Sequence, residues 1–118
     1  GVFMPIQYAA VTALTESGKP DPATMSAYRE RKRILLDCLD KLGWHYHKSE
    51  ATFYVWVKVP GDLSSIDFAR KMLCDHGLIV TPGVGFGPSG EGYIRFSLTL
   101  PTDSVIEATG RLLGRYTP

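Results

Sequence analysis

The segment from Leu78 to Thr99, LIVTPGVGFGPSGEGYIRFSLT, does most to limit what this chain can fold into. A short apolar stretch runs into a loop with glycines at Gly83, Gly85, Gly87, Gly90 and Gly92, and a second apolar stretch follows with Arg95 at its centre. Glycine frees the backbone to take positive φ and to approach a ligand closely. An arginine in an apolar strand needs an anion, because burying its charge unpaired is costly. A mobile loop beside one fixed cation therefore points to a carboxylate or phosphate site.

Strand periodicity sharpens this. A strand over Gly92–Leu100 places Ile94, Phe96, Leu98 and Leu100 on one face and Tyr93, Arg95, Ser97 and Thr99 on the other. A second strand, Thr52–Val59, puts Phe53, Val55, Val57 and Val59 opposite Thr52, Tyr54, Trp56 and Lys58. If the two pair, Tyr54 and Trp56 share the face of Arg95. The planar fork of arginine suits a carboxylate. An internal salt bridge to Glu91 or Asp103 weighs about equally on pattern alone, and the glycines tilt the balance toward a ligand. Gly85, Gly87 and Gly90 also fit G-x-G-x-x-G, but that motif needs a helix to open at the loop, and here Pro88 and a strand follow. A dinucleotide site is rejected.

The remaining chain reads as helices around these strands. Phe3, Ile6, Ala9, Ala10, Ala13 and Leu14 recur at helical spacing over Val2–Leu14, with Pro5 in the first turn, and the segment looks packed. Ser17 to Pro22 is a turn or linker. Asp21 can cap a helix that begins at Pro22 and ends at Leu42 before Gly43, with Met25, Tyr28, Leu35, Cys38, Leu39 and Leu42 on one face. At about 1.5 Å per residue it is long enough to cross between two domains. Ser64 and Asp67 resemble a capping box for a helix through Ile66, Ala69, Met72 and Leu73 that stops at Gly77. Leu78–Thr81 forms a short strand. After Pro101, Thr102 or Asp103 caps a last helix carrying Val105, Ile106, Leu112 and Leu113. The expected fold is α/β in the α+β, two-layer sense: a small mixed, mainly antiparallel sheet of about three strands with helices on one face.

Composition removes several function classes. A formal net charge of +1 argues against broad nucleic-acid binding. The basic run Arg29, Arg31, Lys32 and Arg33 lies on a helix beside Glu30, Asp37 and Asp40 and reads as a solvated face. Cys38 and Cys74 fall in apolar helical patterns and are expected to be buried, reduced thiols. His45 and His47 share a side, but no third ligand is near and no metal spacing occurs. No signal peptide and no apolar run of spanning length is visible, so no membrane partner is expected and the cytoplasm is the default compartment.

GVFMPIQYAAVTAL, ATFYVWVKVP and above all the PGVGFGPSGEGYIRFSL run are similar to the C-terminal, small domain of the class I/II, fold-type I pyridoxal-phosphate aminotransferases. Within the class, the chain most resembles the LL-diaminopimelate and alanine/aspartate aminotransferase-like subgroup. The resemblance implies that residues 1–18 are the helical tail of a large domain and residues 19–118 the small domain. It makes Arg95 the binder of the substrate α-carboxylate. Phe86 becomes a substrate contact on an entrance loop with Gly83, Gly85 and Gly87, and Gly1 to Pro5 fall near a dimer interface. It further implies amino-acid metabolism, amino-acid and 2-oxo-acid substrates, a homodimer, and pyridoxal 5'-phosphate in the full-length enzyme.

None of the lysines at 19, 32, 41, 48, 58 and 71 sits in the family's Schiff-base context, and the residues that hold the cofactor belong to the large domain. The chain alone is therefore expected to have no catalytic residue, to bind no cofactor and to be inactive in transamination. Two other readings remain: a free-standing regulatory domain that binds amino acids or other carboxylates, and a decarboxylase or lyase of the same fold.

Overall fold

Residues 1–17 and 21–114 are described by a computed structural model of the chain. Helix α1 spans Met4–Thr12 and passes into a π-helical turn over Ala13–Ser17. Helix α2 spans Pro22–Leu42, α3 Ser65–His76 and α4 Thr102–Leu112. The strands are β1 (Tyr54–Lys58), β2 (Thr81–Pro82) and β3 (Tyr93–Ser97). They form one antiparallel sheet in the order β1-β3-β2.

Local chemistry sets both ends of α2. Asp21 caps it, its carboxylate accepting from the Thr24 N–H at 2.9 Å and the Thr24 hydroxyl at 2.6 Å. Those bonds, the hydroxyl's first, hold the Asp21 carboxyl below its usual range. Gly43 ends the helix with φ 68°, and its N–H returns to the Asp40 carbonyl. The basic run is not a wholly solvated face. Arg31 reaches the Leu98 carbonyl at 3.1 Å and the Thr102 hydroxyl at 3.3 Å, while Lys32 donates to the Ser49 carbonyl.

The helix-cap expectation at Ser64 is met in altered form. Its hydroxyl accepts from the Asp67 N–H and donates to the Asp67 carboxylate. The buried face of α3 is Ser65, Phe68 and Met72; Ile66 and Leu73, two of the apolar residues that marked the helix in the sequence, are each 51% exposed. The docking of α3 on the glycine loop and β2 selects a stripe that begins at its first residue. For α4, neither Thr102 nor Asp103 caps: the N-cap is Pro101 without a side-chain bond, and the Thr102 hydroxyl is taken by Arg31.

Each strand is shorter than alternation implied. Thr52, at φ 72°, kinks the chain ahead of β1, and single bonds from the Leu98 N–H to Phe53 and from the Val59 N–H to Gly92 extend the pairing beyond both ends. Of Leu78–Thr81, Thr81 alone enters β2. Val55, Val57, Ile94 and Leu98 meet Leu35, Cys38 and Leu39 of α2, Phe68 and Met72 of α3 and Leu112 of α4 in one core. Leu100, expected with them, is exposed beyond the end of β3.

Two further expectations change. Cys38 is buried, with its thiol near the Thr109 carbonyl, but Cys74 is exposed; neither is in a disulfide. The apolar residues of Val2–Leu14, far from packed, are exposed, Phe3 just before α1 by 71% and Leu14 in the turn after it by 83%. The boundary expected at residue 18 and the lysine at 19 lie outside the described residues. Among those described, no helix is long and apolar enough to cross a membrane, and no group of His, Cys, Asp and Glu could hold a metal.

Candidate functional site

The β1–β3 register builds the site. Tyr54 pairs with Ser97, Trp56 with Arg95 and Lys58 with Tyr93, so these side chains share the face turned away from the core. On the other edge Thr81 of β2 pairs with Arg95, which places the arginine on the central strand. Alternation had assigned this face correctly.

Around Arg95 the contacts are aromatic. Its guanidinium carbon is 3.9 Å from the centre of the Tyr54 ring and 4.4 Å from that of Phe86. Trp56 braces Phe86 edge-on at 5.3 Å and approaches Tyr93 at 6.4 Å. Ring faces stabilise the cation through their quadrupole but accept no strong hydrogen bond. The Arg95 Nε is buried without a hydrogen-bond partner. The ion pairs of the described residues are Arg33–Asp37, Arg70–Asp67, Lys71–Asp75 and Arg111–Glu107, and none includes Arg95.

The salt-bridge alternative is therefore not realised. Glu91 turns the other way: its Oε1 accepts from the Ser65 N–H at 2.7 Å and its Oε2 from the Ser65 hydroxyl at 2.9 Å. These bonds, the backbone one first, hold its carboxyl below the usual range. This pairing was not foreseen from the sequence. The one signal for it was an acid set between two glycines in an otherwise uncharged loop.

The glycine loop is closely built. Two 3₁₀ turns, Gly83–Phe86 and Pro88–Gly90, join β2 to β3. A Cβ on Gly83 would stand 2.0 Å from the Gly90 carbonyl oxygen, and one on Gly90 would stand 2.0 Å from that of Gly83. The two glycines thus allow backbone to meet backbone at the neck of the loop. Gly85 and Gly87 have no such neighbour within 4 Å, although Gly87 takes φ 117°. Phe86, 51% exposed, is carried on the first turn to the rim of the arginine face.

A cavity of about 370 Å³ lies elsewhere, lined by Leu35, Val80, Leu98, Val105 and Leu112 among others. Its lining is mostly apolar and excludes Arg95. The one arginine there, Arg111, is already paired with Glu107.

The family model for aminotransferase class I and II matches residues 3–112. The LL-diaminopimelate aminotransferase of Desulforudis audaxviator is 44% identical over 120 residues, covering 99% of this chain and 31% of that relative. Among solved structures, the L,L-diaminopimelate aminotransferase from Chlamydomonas reinhardtii superposes with a TM-score of 0.73 at 31% identity, over 80% of this chain and 23% of that one. An aromatic aminotransferase from Pyrococcus horikoshii gives 0.71 at 30% identity, over 91% and 29%. The chain thus spans less than a third of the length of the relatives it matches.

Proposed function

Because this chain belongs to the aminotransferase class I and II family, we propose that it is the carboxylate-binding small domain of an amino-acid aminotransferase. Arg95 clamps the α-carboxylate of the amino-acid and 2-oxo-acid substrates, and Phe86 borders them. The observation that carries this reading is a guanidinium fixed between aromatic rings, with no acidic partner among the described residues. A substrate carboxylate supplies the missing anion, in the plane of the fork, where two parallel hydrogen bonds can form. Closure of such a domain over the substrate would exclude water from the reacting atoms.

The family's full-length enzymes use pyridoxal 5'-phosphate, which supplies the electron sink for amino transfer. It needs a lysine for its aldehyde, a carboxylate at its ring nitrogen and donors around its phosphate. The face around Arg95 does not fit these needs. By register its lysine is Lys58, exposed at the end of β1, and the nearby loop carboxylate, Glu91, is committed to Ser65. On this reading the cofactor and the Schiff-base lysine come from a large domain, residues 1–18 are the tail of that domain, and the chain alone is inactive. The enzyme would work in the cytoplasm as a homodimer, with amino-acid metabolism as its setting.

Arg95→Lys keeps the charge and loses the fork. In the whole enzyme it is expected to raise KM for the amino acid about 10²-fold, as loss of a desolvated arginine–carboxylate pair does. An unchanged KM would remove Arg95 from the site.

A further inference from the structure

Phe86 can serve Arg95 only if its loop is held in place, and four contacts tie the loop at its base. At the neck, the backbones of Gly83 and Gly90 touch. Below the neck sits Ser65, fully buried as the first residue of α3. Its hydroxyl accepts from the Val84 N–H at 3.5 Å, on the chain entering the loop. The same hydroxyl donates to Glu91 at 2.9 Å, on the chain leaving it, and the Ser65 N–H donates to the other carboxylate oxygen at 2.7 Å. A charged acceptor taking two short bonds at a helix N-terminus makes the firmest of these ties. The residues between the two tied points include Phe86.

We propose that Ser65 and Glu91 act as a latch that fixes the Phe86 loop against Arg95, which makes both of them positioning residues of the substrate site. The proposal rests on the carboxylate reading of Arg95. Neither residue touches the guanidinium among the described contacts. They act through the loop: with the latch closed, Phe86 stacks on the cation, Trp56 backs Phe86, and the guanidinium plane is set for a carboxylate to meet its edge. With the latch open, the loop keeps its glycine neck but loses its tie to α3.

The test uses the whole enzyme that carries this chain. Glu91→Ala is expected to speed amide hydrogen exchange across residues 84–90 about tenfold or more and to raise KM for the amino acid about tenfold, with kcat changed less than about twofold. Glu91→Gln keeps an acceptor for the Ser65 N–H and is expected to restore part of both losses. Ser65→Ala removes both hydroxyl bonds, to Glu91 and from Val84, keeps the backbone bond to Glu91, and serves where Glu91→Ala fails to fold. Unchanged exchange across 84–90 in these variants overturns the latch. Faster exchange with an unchanged KM overturns its role at the site. Arg95→Lys, measured alongside, separates the two ideas. If it leaves KM unchanged, the carboxylate reading falls. If it raises KM while Glu91→Ala does not, the positioning role alone falls.

Discussion

Arg95 and Tyr54 are diagonal neighbours across the β1–β3 ladder, and the arginine's guanidinium carbon lies 3.9 Å from the centre of the tyrosine ring. The pair directly opposite Arg95 is Trp56, so the stack depends on a long side chain reaching across the sheet to the next position. That reach takes up one face of the cation.

The Tyr54 stack is worth about 0.5–2 kcal/mol on the cation–π scale. Tyr54→Ala is expected to raise KM for the amino acid about threefold to thirtyfold in the whole enzyme, while Tyr54→Phe, which keeps the ring face, stays near the parent. Steady-state kinetics on both variants check this, and equal effects would assign the role to the hydroxyl instead.

Two glycines of the loop should respond oppositely to alanine. A Cβ on Gly90 would meet the Gly83 carbonyl oxygen at 2.0 Å, so the neck must open, and Gly90→Ala is expected to cost about 1–3 kcal/mol. Gly85 has open space around its Cβ position and no positive φ, so Gly85→Ala is expected to be neutral or to stabilise by about 0.5 kcal/mol. Urea midpoints for the two variants decide the matter.

Acid should weaken the fold in a defined direction. Asp21, Asp75 and Glu91 all have carboxyls held below their ordinary values, chiefly by hydrogen bonds from Thr24, Lys71 and Ser65 respectively. A lowered folded-state pKa adds stability above the unfolded-state value and loses it as pH falls through the folded one. Urea midpoints are therefore expected to be level near neutrality and to fall below about pH 4. Glu91→Gln should reduce that fall. At the alkaline end Tyr46, raised by burial first and then by its bond to Asp40, carries the opposite sign: its share is present below the ordinary tyrosine value and is lost as pH rises past it.

Leucines at two helices separate core from uncovered surface. Leu39 of α2 is 0% exposed, and Leu39→Ala is expected to cost about 2–5 kcal/mol. Leu14, in the turn after α1, is 83% exposed, and Leu14→Ala is expected to change the stability of this chain by less than about 0.5 kcal/mol. Thermal unfolding of the chain and its two variants tests the contrast.

Much of this architecture is readable one residue at a time. Asp21, Pro22 and Gly43 bound α2 because a cap, a fixed φ and a left-handed residue each act within a turn of where they stand. Gly77 ends α3 for the same reason. The buried stripe of α3 includes Ser65, a small polar residue that no apolar pattern marks, because its partners Glu91 and Val84 belong to the loop. Periodicity ranks positions by apolarity and has no means of finding a buried hydroxyl. Thr102 failed as a cap because Arg31, distant in sequence, takes its oxygen.

The sequence by itself determined both ends of α2, the Ser64 cap and Gly77 stop of α3, and which strand residues alternate onto a shared face, and it singled out Arg95 as a charge in an apolar strand. These follow from backbone sterics, capping bonds and the cost of unpaired charge, all of which operate locally. Tertiary structure alone decided that Glu91 turns to Ser65 rather than to Arg95, that Tyr54 and Phe86 flank the cation, and that Gly83 and Gly90 close the loop between them. Each of those outcomes joins groups on different elements, and which groups meet depends on how α3, the loop and the sheet pack together.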